Sequence, residues 1–141
     1  MARKKKPLLK RHAALQKTMD RYRHLPFSWE NNRTCIHMLR THLTALGYEL
    51  PRIAKLDGPV AAKRELKKRG WSSVTAMLDA LLTPIPVAAM LPGDVSVLPG
   101  DEGLEAVVIS LGATAIGYTE GEASMTLFTD PAKVLERAWR V

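Results

Sequence analysis

Hydrophobic positions along the chain change their period once, near residue 86, which separates a helical first part from a strand-rich second part. From residue 8 to 24, Leu8, Leu15, Met19 and Tyr22 recur at spacings of seven, four and three with basic residues between them, which predicts an amphipathic helix. Pro26 ends it. Thr34 is placed to cap a second helix over residues 35–46, whose buried stripe is Ile36, Leu39, Leu43 and Leu46, and Gly47 stops it. A third, strongly basic helix is expected over residues 59–69, ending at Gly70. Ser72 or Ser73 can cap a fourth over residues 74–82, which Pro84 and Pro86 break. Beyond them, residues 94–98, 105–111, 113–118 and 124–128 are short runs rich in Val, Ile and Thr, with Gly112 and Gly121 at the turns. They predict an antiparallel meander. Asp130 and Pro131 start a short helix, and Ala138-Trp139-Arg140-Val141 reads as a last strand. The expected fold class is α+β, N-terminal helices packed on a small antiparallel sheet.

Composition narrows this picture. The chain of 141 residues, 46% hydrophobic, suits one core. No run reaches the ~18 uncharged apolar residues of a membrane span, and the apolar run after the basic N-terminus is too short for a secretion signal. Cys35 is the single cysteine, so an internal disulfide and a Cys₂ or Cys₄ zinc site are both excluded. No His-rich or Asp-x-Asp pattern speaks for a metal, and no cofactor is expected.

Charge adds a division that hydropathy does not show. Residues 1–24 carry nine Lys/Arg against one acid, Asp20, for a net +8, whereas the remainder carries twelve against thirteen, for −1. The expected organisation is therefore a basic arm and helix over residues 1–24 and an α+β domain over residues 25–141. Arg3, Lys4, Lys5, Lys6, Lys10 and Arg11 are the candidate binding residues of the arm, with Met1–Lys6 expected to be a mobile tail. The arm admits three readings: a solvated tail, a subunit-docking arm that folds on binding, or a salt-sensitive, sequence-blind contact with nucleic-acid phosphates. Docking ranks ahead of nucleic acid, because Tyr22 is the arm's lone aromatic and base stacking has little to work with.

Two segments carry a resemblance. Phe27-Ser28-Trp29-Glu30-Asn31-Asn32-Arg33-Thr34-Cys35 is an aromatic-rich turn followed by a cysteine that opens a helix. A helix N-terminus presents positive potential, which favours a thiolate. Gly93-Asp94-Val95-Ser96-Val97, followed by Glu105-Ala106-Val107-Val108-Ile109-Ser110-Leu111-Gly112, is a Gly-Asp strand and then an apolar strand closed by glycine. In this order, and with Arg137-Ala138-Trp139-Arg140-Val141 at the end, the segments resemble the NlpC/P60 (papain-like) cysteine hydrolases over about residues 20–141. They look closest to a branch of small phage- and prophage-encoded proteins associated with tail-tip genes.

The resemblance implies an NlpC/P60 fold, Cys35 as nucleophile, other phage tail proteins as partners, and a place in the virion after synthesis in the host cytoplasm. It also exposes two departures. Ala106 stands at the position of the family's histidine, and Thr34 stands where this branch often has aspartate. His37 points to another helix face, and His42 lies about 10 Å along the axis, beyond hydrogen-bond reach. His12 and His24 can approach only through tertiary folding. The leading expectation is a structural component of a phage tail, at the tip or connecting region, on an inactive hydrolase scaffold. An active cysteine peptidoglycan hydrolase is the first alternative and a basic nucleic-acid-binding protein the second.

Each of these residues also has an ordinary structural role. Cysteine is among the most buried residue types, so Cys35 as plain core is the more frequent case. Trp29, Trp71 and Trp139 are more often core anchors than groove walls. Asp94 is expected to satisfy local backbone amides. Asp101, Glu102, Glu105, Glu120 and Glu122 near the turns read as a solvated acidic rim.

Overall fold

A computed structural model describes residues 7–50, 52–53, 55–100, 103–118 and 125–141. The basic run Arg3–Lys6, the turn at Gly121 and the carboxylates Asp101, Glu102, Glu120 and Glu122 lie outside them. Four helices come first: α1 (Leu8–Tyr22), α2 (Cys35–Ala45), α3 (Pro59–Lys68) and α4 (Val74–Leu81). Strands β1 (Thr83–Ile85), β2 (Val95–Leu98), β3 (Ala106–Ser110), β4 (Ala115–Gly117), β5 (Thr126–Phe128) and β6 (Ala138–Arg140) follow, with a 3₁₀ turn at Val87–Ala89 and a short α5 (Pro131–Val134). The protein is an α+β domain with a six-stranded antiparallel sheet ordered β1-β6-β2-β3-β4-β5.

The helix ends form where short polar side chains and glycines permit. Thr34 accepts a hydrogen bond from the His37 amide, and Ser73 accepts one from the Ala76 amide. Gly47, at φ +98°, takes the left-handed conformation that ends α2, and the Lys10 ammonium lies beside it. Lys10, a candidate of the arm, is thus an exposed α1 residue at the negative end of the α2 dipole. Asp130 makes no capping bond and pairs instead with Lys133 at 3.4 Å.

α2 is the central helix. Ile36, Leu39, Leu43 and Leu46 are buried as the pattern predicts, and Met38 and His42 on its other side are buried as well. α1 packs on α2 through Ala14, Leu15, Met19 and Tyr22, in the same core as Val95, Val107, Ile109, Ile116 and Trp139 of the sheet. The helix expected to belong to the arm therefore helps build the core. Leu8, counted in its apolar stripe, is instead exposed, and Arg11 takes the buried position one turn further on. The opposite face of the sheet is closed by a smaller cluster, in which Val108, Ala115 and Leu135 meet Leu98 and Phe128.

β2 to β5 form the expected meander, and two features depart from it. β6 leaves α5 and inserts between β1 and β2, pairing Val95 with Trp139 and Ser96 with Ala138. β1 forms across the Pro84 that sequence reading treats as a breaker. As an edge strand it needs hydrogen bonds on one side only, so proline is tolerated there. No described helix is long and apolar enough to cross a membrane.

A buried ionic junction ties the first helix to the sheet. Asp94 is fully buried just before β2 and accepts from an Arg11 Nη (2.8 Å), the Leu91 amide (2.8 Å) and the Val141 amide (3.1 Å). Arg140 Nε lies 3.1 Å from its second oxygen. Arg11 also donates to the Pro92 carbonyl at 2.9 Å, and the neighbouring Gly93 carbonyl lies 2.8 Å from His42 Nε2. Asp94 meets the local Leu91 amide as expected, and also the distant Val141 amide and a cation from α1. Arg11, a candidate contact of the basic arm, has its charge neutralised inside the fold.

Candidate functional site

The segment before α2 is built to hold aromatics at a helix start. Ser28 and Arg33 exchange backbone hydrogen bonds of 2.9 and 2.8 Å, closing a tight loop with Asn32 at φ 57°, a conformation asparagine tolerates. The loop sets Phe27 edge-on to Trp29, with ring centroids 5.4 Å apart, and edge-on to Tyr118, at 5.7 Å. Thr34 then caps the helix and Cys35 is its first residue.

Cys35 lies at the bottom of a cleft of about 180 Å³ whose walls include Phe27, Trp29, Leu104, Glu105, Ala106 and Tyr118. The loop Leu98–Gly100 forms one rim, and at Gly100 a β-carbon would run into the Leu104 carbonyl. Cys35 and Ala106 therefore share one cleft, although 71 residues apart in sequence. The juxtaposition follows from α2 packing against β3.

The chemistry of the cleft is muted. Burial pushes the Cys35 thiol up, and the amides of Val107, Cys35 and Ile36 pull it down without reversing the effect. The helix N-terminus was expected to favour a thiolate, and desolvation outweighs it. No histidine is among the residues that line the cleft. His37 turns to its own cap, with Nδ1 2.7 Å from Thr34 Oγ1. His42 is buried between Thr18 Oγ1, 3.3 Å from its Nδ1, and the Gly93 carbonyl. Both rings are held below the ordinary imidazole range, first by burial. His12 and His24 are exposed.

Among the described residues, the two titratable groups that share the cleft with Cys35 are occupied elsewhere. Glu105 turns away to the start of α4, where it accepts from the Thr75 hydroxyl (2.7 Å), the Thr75 amide (3.0 Å) and the Val74 amide (3.3 Å). Burial alone would raise its carboxyl, but these bonds from Thr75 and Val74 outweigh burial and hold it below the usual value. It is a helix-capping group, not the solvated rim residue expected from sequence. Tyr118 donates to the Tyr22 carbonyl at 3.3 Å, and its phenol is pushed up to about 12, mainly by burial. It stays neutral and cannot act as a base at neutral pH.

A family model described as a domain of unknown function, DUF6950, matches residues 8–141. The chain belongs to this family. No curated protein and no solved structure matches it. The family match begins at the first residue of α1, so Arg11 and the packing face of that helix fall within it.

Of the three tryptophans, Trp29 lines the Cys35 cleft, and Trp139 is fully buried with its indole N–H on Asp79 Oδ1 at 2.9 Å. Trp71 borders a small apolar hollow with Leu39, Leu43 and Met77. Sequence reasoning missed Tyr118 and the Leu98–Gly100 rim as cleft residues. An aromatic at the end of a strand was the one available signal for Tyr118. Among the described residues, no three His, Cys, Asp or Glu side chains converge as a metal site would require.

Proposed function

We propose that this DUF6950 protein is a structural component of a bacteriophage tail, at the tip or connecting region, on an NlpC/P60-like scaffold that no longer hydrolyses. One observation carries the non-catalytic part. Cys35 opens α2 inside a cleft that also holds Ala106, the position equated with the family's histidine; no histidine lines that cleft, and the one carboxylate among its described residues, Glu105, is bonded to the start of α4. A thiol raised by burial and without a paired imidazole is a poor nucleophile, and a leaving amine would lack the proton that an imidazolium supplies. The papain-like relationship is supported by a nucleophile-position cysteine at a helix N-terminus packed against an antiparallel sheet. The tail assignment rests on the sequence resemblance and on the polarity of charge, basic at the N-terminal end and acidic after Gly70, which suits oriented docking in an assembly.

Quantitative mass spectrometry of purified particles from a host carrying the gene tests the assignment. Peptides of this chain should appear in fixed stoichiometry with known tail proteins and persist through high-salt washing. Absence from particles, with the protein recovered as a free monomer, would overturn it.

A further inference from the structure

A second pocket, of about 380 Å³, opens between the end of α1, the first two turns of α2 and residues 52–53. Arg21, Asn32, His37, Arg40, Thr41 and Arg52 line it, and it shares no lining residue with the Cys35 cleft. No carboxylate is among its described lining residues. Arg21 lies over the Tyr22 ring, 5.3 Å from its centroid, and Arg40 is tethered by the Leu50 carbonyl at 3.4 Å. Three guanidinium groups thus border one hollow with no acid among its described lining residues, an arrangement that attracts an anion.

His37 supplies the independent observation. The residue is about nine-tenths buried, and its Nε2 has no hydrogen-bond partner among the described residues. Thr34 Oγ1 accepts from the His37 amide at 3.2 Å and lies 2.7 Å from His37 Nδ1, to which its hydroxyl can donate. In that tautomer the ring proton lies on Nε2, a buried nitrogen without a partner among the described residues, on a side chain that lines a pocket rich in donors. Burial, then Arg40 and Arg21, hold the ring neutral at physiological pH, so it donates one proton and adds no charge.

We propose that this pocket is a binding site for a phosphate-type oxyanion, gripped by Arg21, Arg40 and Arg52 with His37 Nε2–H as the buried donor. Charge decides between anions. A carboxylate neutralises one of three guanidinium charges, whereas a dianionic phosphate neutralises two and offers tetrahedral acceptors to both the arginines and His37. Phosphate could arrive as a free ion or small ester, or as part of a nucleic-acid backbone.

The test is titration of the ¹⁵N-labelled protein at low ionic strength with inorganic phosphate, with acetate, and with a short DNA duplex. The His37 ring nitrogens and calorimetric heats are read in each case. Phosphate should move the Nε2 signal and bind at least tenfold more tightly than acetate. The Arg21→Gln/Arg52→Gln variant, altered only at exposed side chains, should bind phosphate at least tenfold more weakly with its thermal unfolding unchanged. A duplex that moves the same His37 signal identifies backbone phosphate as the source. One that moves only other residues identifies the free ion or ester. An unmoved His37 under phosphate, acetate binding as tight as phosphate, or undiminished binding by the double variant would overturn the proposal.

Discussion

Replacing Asp94 by asparagine should be among the most damaging single changes to this protein. The carboxylate is fully buried and receives one guanidinium and two backbone amides, with a second guanidinium 3.1 Å away. Asparagine keeps the shape but removes the charge, and turns an amide N–H toward groups that are themselves donors. The Arg11 side chain, 4% exposed, is then a buried cation without a counter-ion. Breaking a buried pair in this way costs about 3–5 kcal/mol, against a total stability of roughly 5–15 kcal/mol for a domain. At roughly 4 °C per kcal/mol for a chain of this size, Tm falls by about 12–20 °C.

Arg140, with 31% of its side chain exposed, can turn to water, so Arg11 carries most of the penalty. The Arg11→Met change should therefore relieve Asp94→Asn, giving a coupling of about 1–3 kcal/mol in a double-mutant cycle. Urea unfolding followed by tryptophan fluorescence measures it, since Trp139 pairs with Val95, the residue next to Asp94. A loss below about 1 kcal/mol for Asp94→Asn, or strict additivity of the two changes, would refute the reasoning.

Three further outcomes follow from the geometry. Glu105→Gln weakens the cap on α4 and should cost about 1 kcal/mol at neutral pH. Because the folded carboxyl is held below its unfolded value, the contribution is complete above the unfolded pKa and is lost as pH falls through the folded one, so urea titrations of the two proteins should converge in acid. Ala106→His places an imidazole in the Cys35 cleft and should speed alkylation of the thiol at pH 7 by roughly tenfold or more, since a paired thiolate forms well below the range of a buried thiol; unchanged iodoacetamide kinetics would show that residue 106 does not face Cys35. At Gly117 a β-carbon would lie 2.6 Å from Cγ1 of the buried Val108, so Gly117→Ala should cost about 1–3 kcal/mol in chemical denaturation.

Local chemistry explains which parts of the fold were legible in the sequence. Thr34, Ser73, Gly47 and Gly70 each end or begin a helix by interactions within a few residues, so their positions could be read directly. The β2–β5 meander was equally open, because strands consecutive in sequence pair with one another. β6 was visible as a strand but not in its place, since insertion beside β2 depends on Trp139 reaching the core from the far end of the chain. β1 was hidden by Pro84, whose tolerance depends on lying at a sheet edge.

The same limit governs the candidate site. Placing Cys35 at the start of α2 needed only the Thr34 cap, whereas its protonation depends on burial by Phe27, Trp29 and Tyr118, which only the folded chain brings around it. Arg11 read as one cation among many in a basic arm. Its partner, Asp94, lies 83 residues away, a pairing that no local pattern reveals.

The account stands or falls on whether Cys35 does chemistry. Purified wild-type protein and the Cys35→Ala variant, both shown to be folded, should be incubated with peptidoglycan and the soluble fragments separated by mass. The account predicts no fragment release above buffer from either protein. Release by the wild type that disappears in Cys35→Ala would show that a base reaches the cleft, and would contradict it.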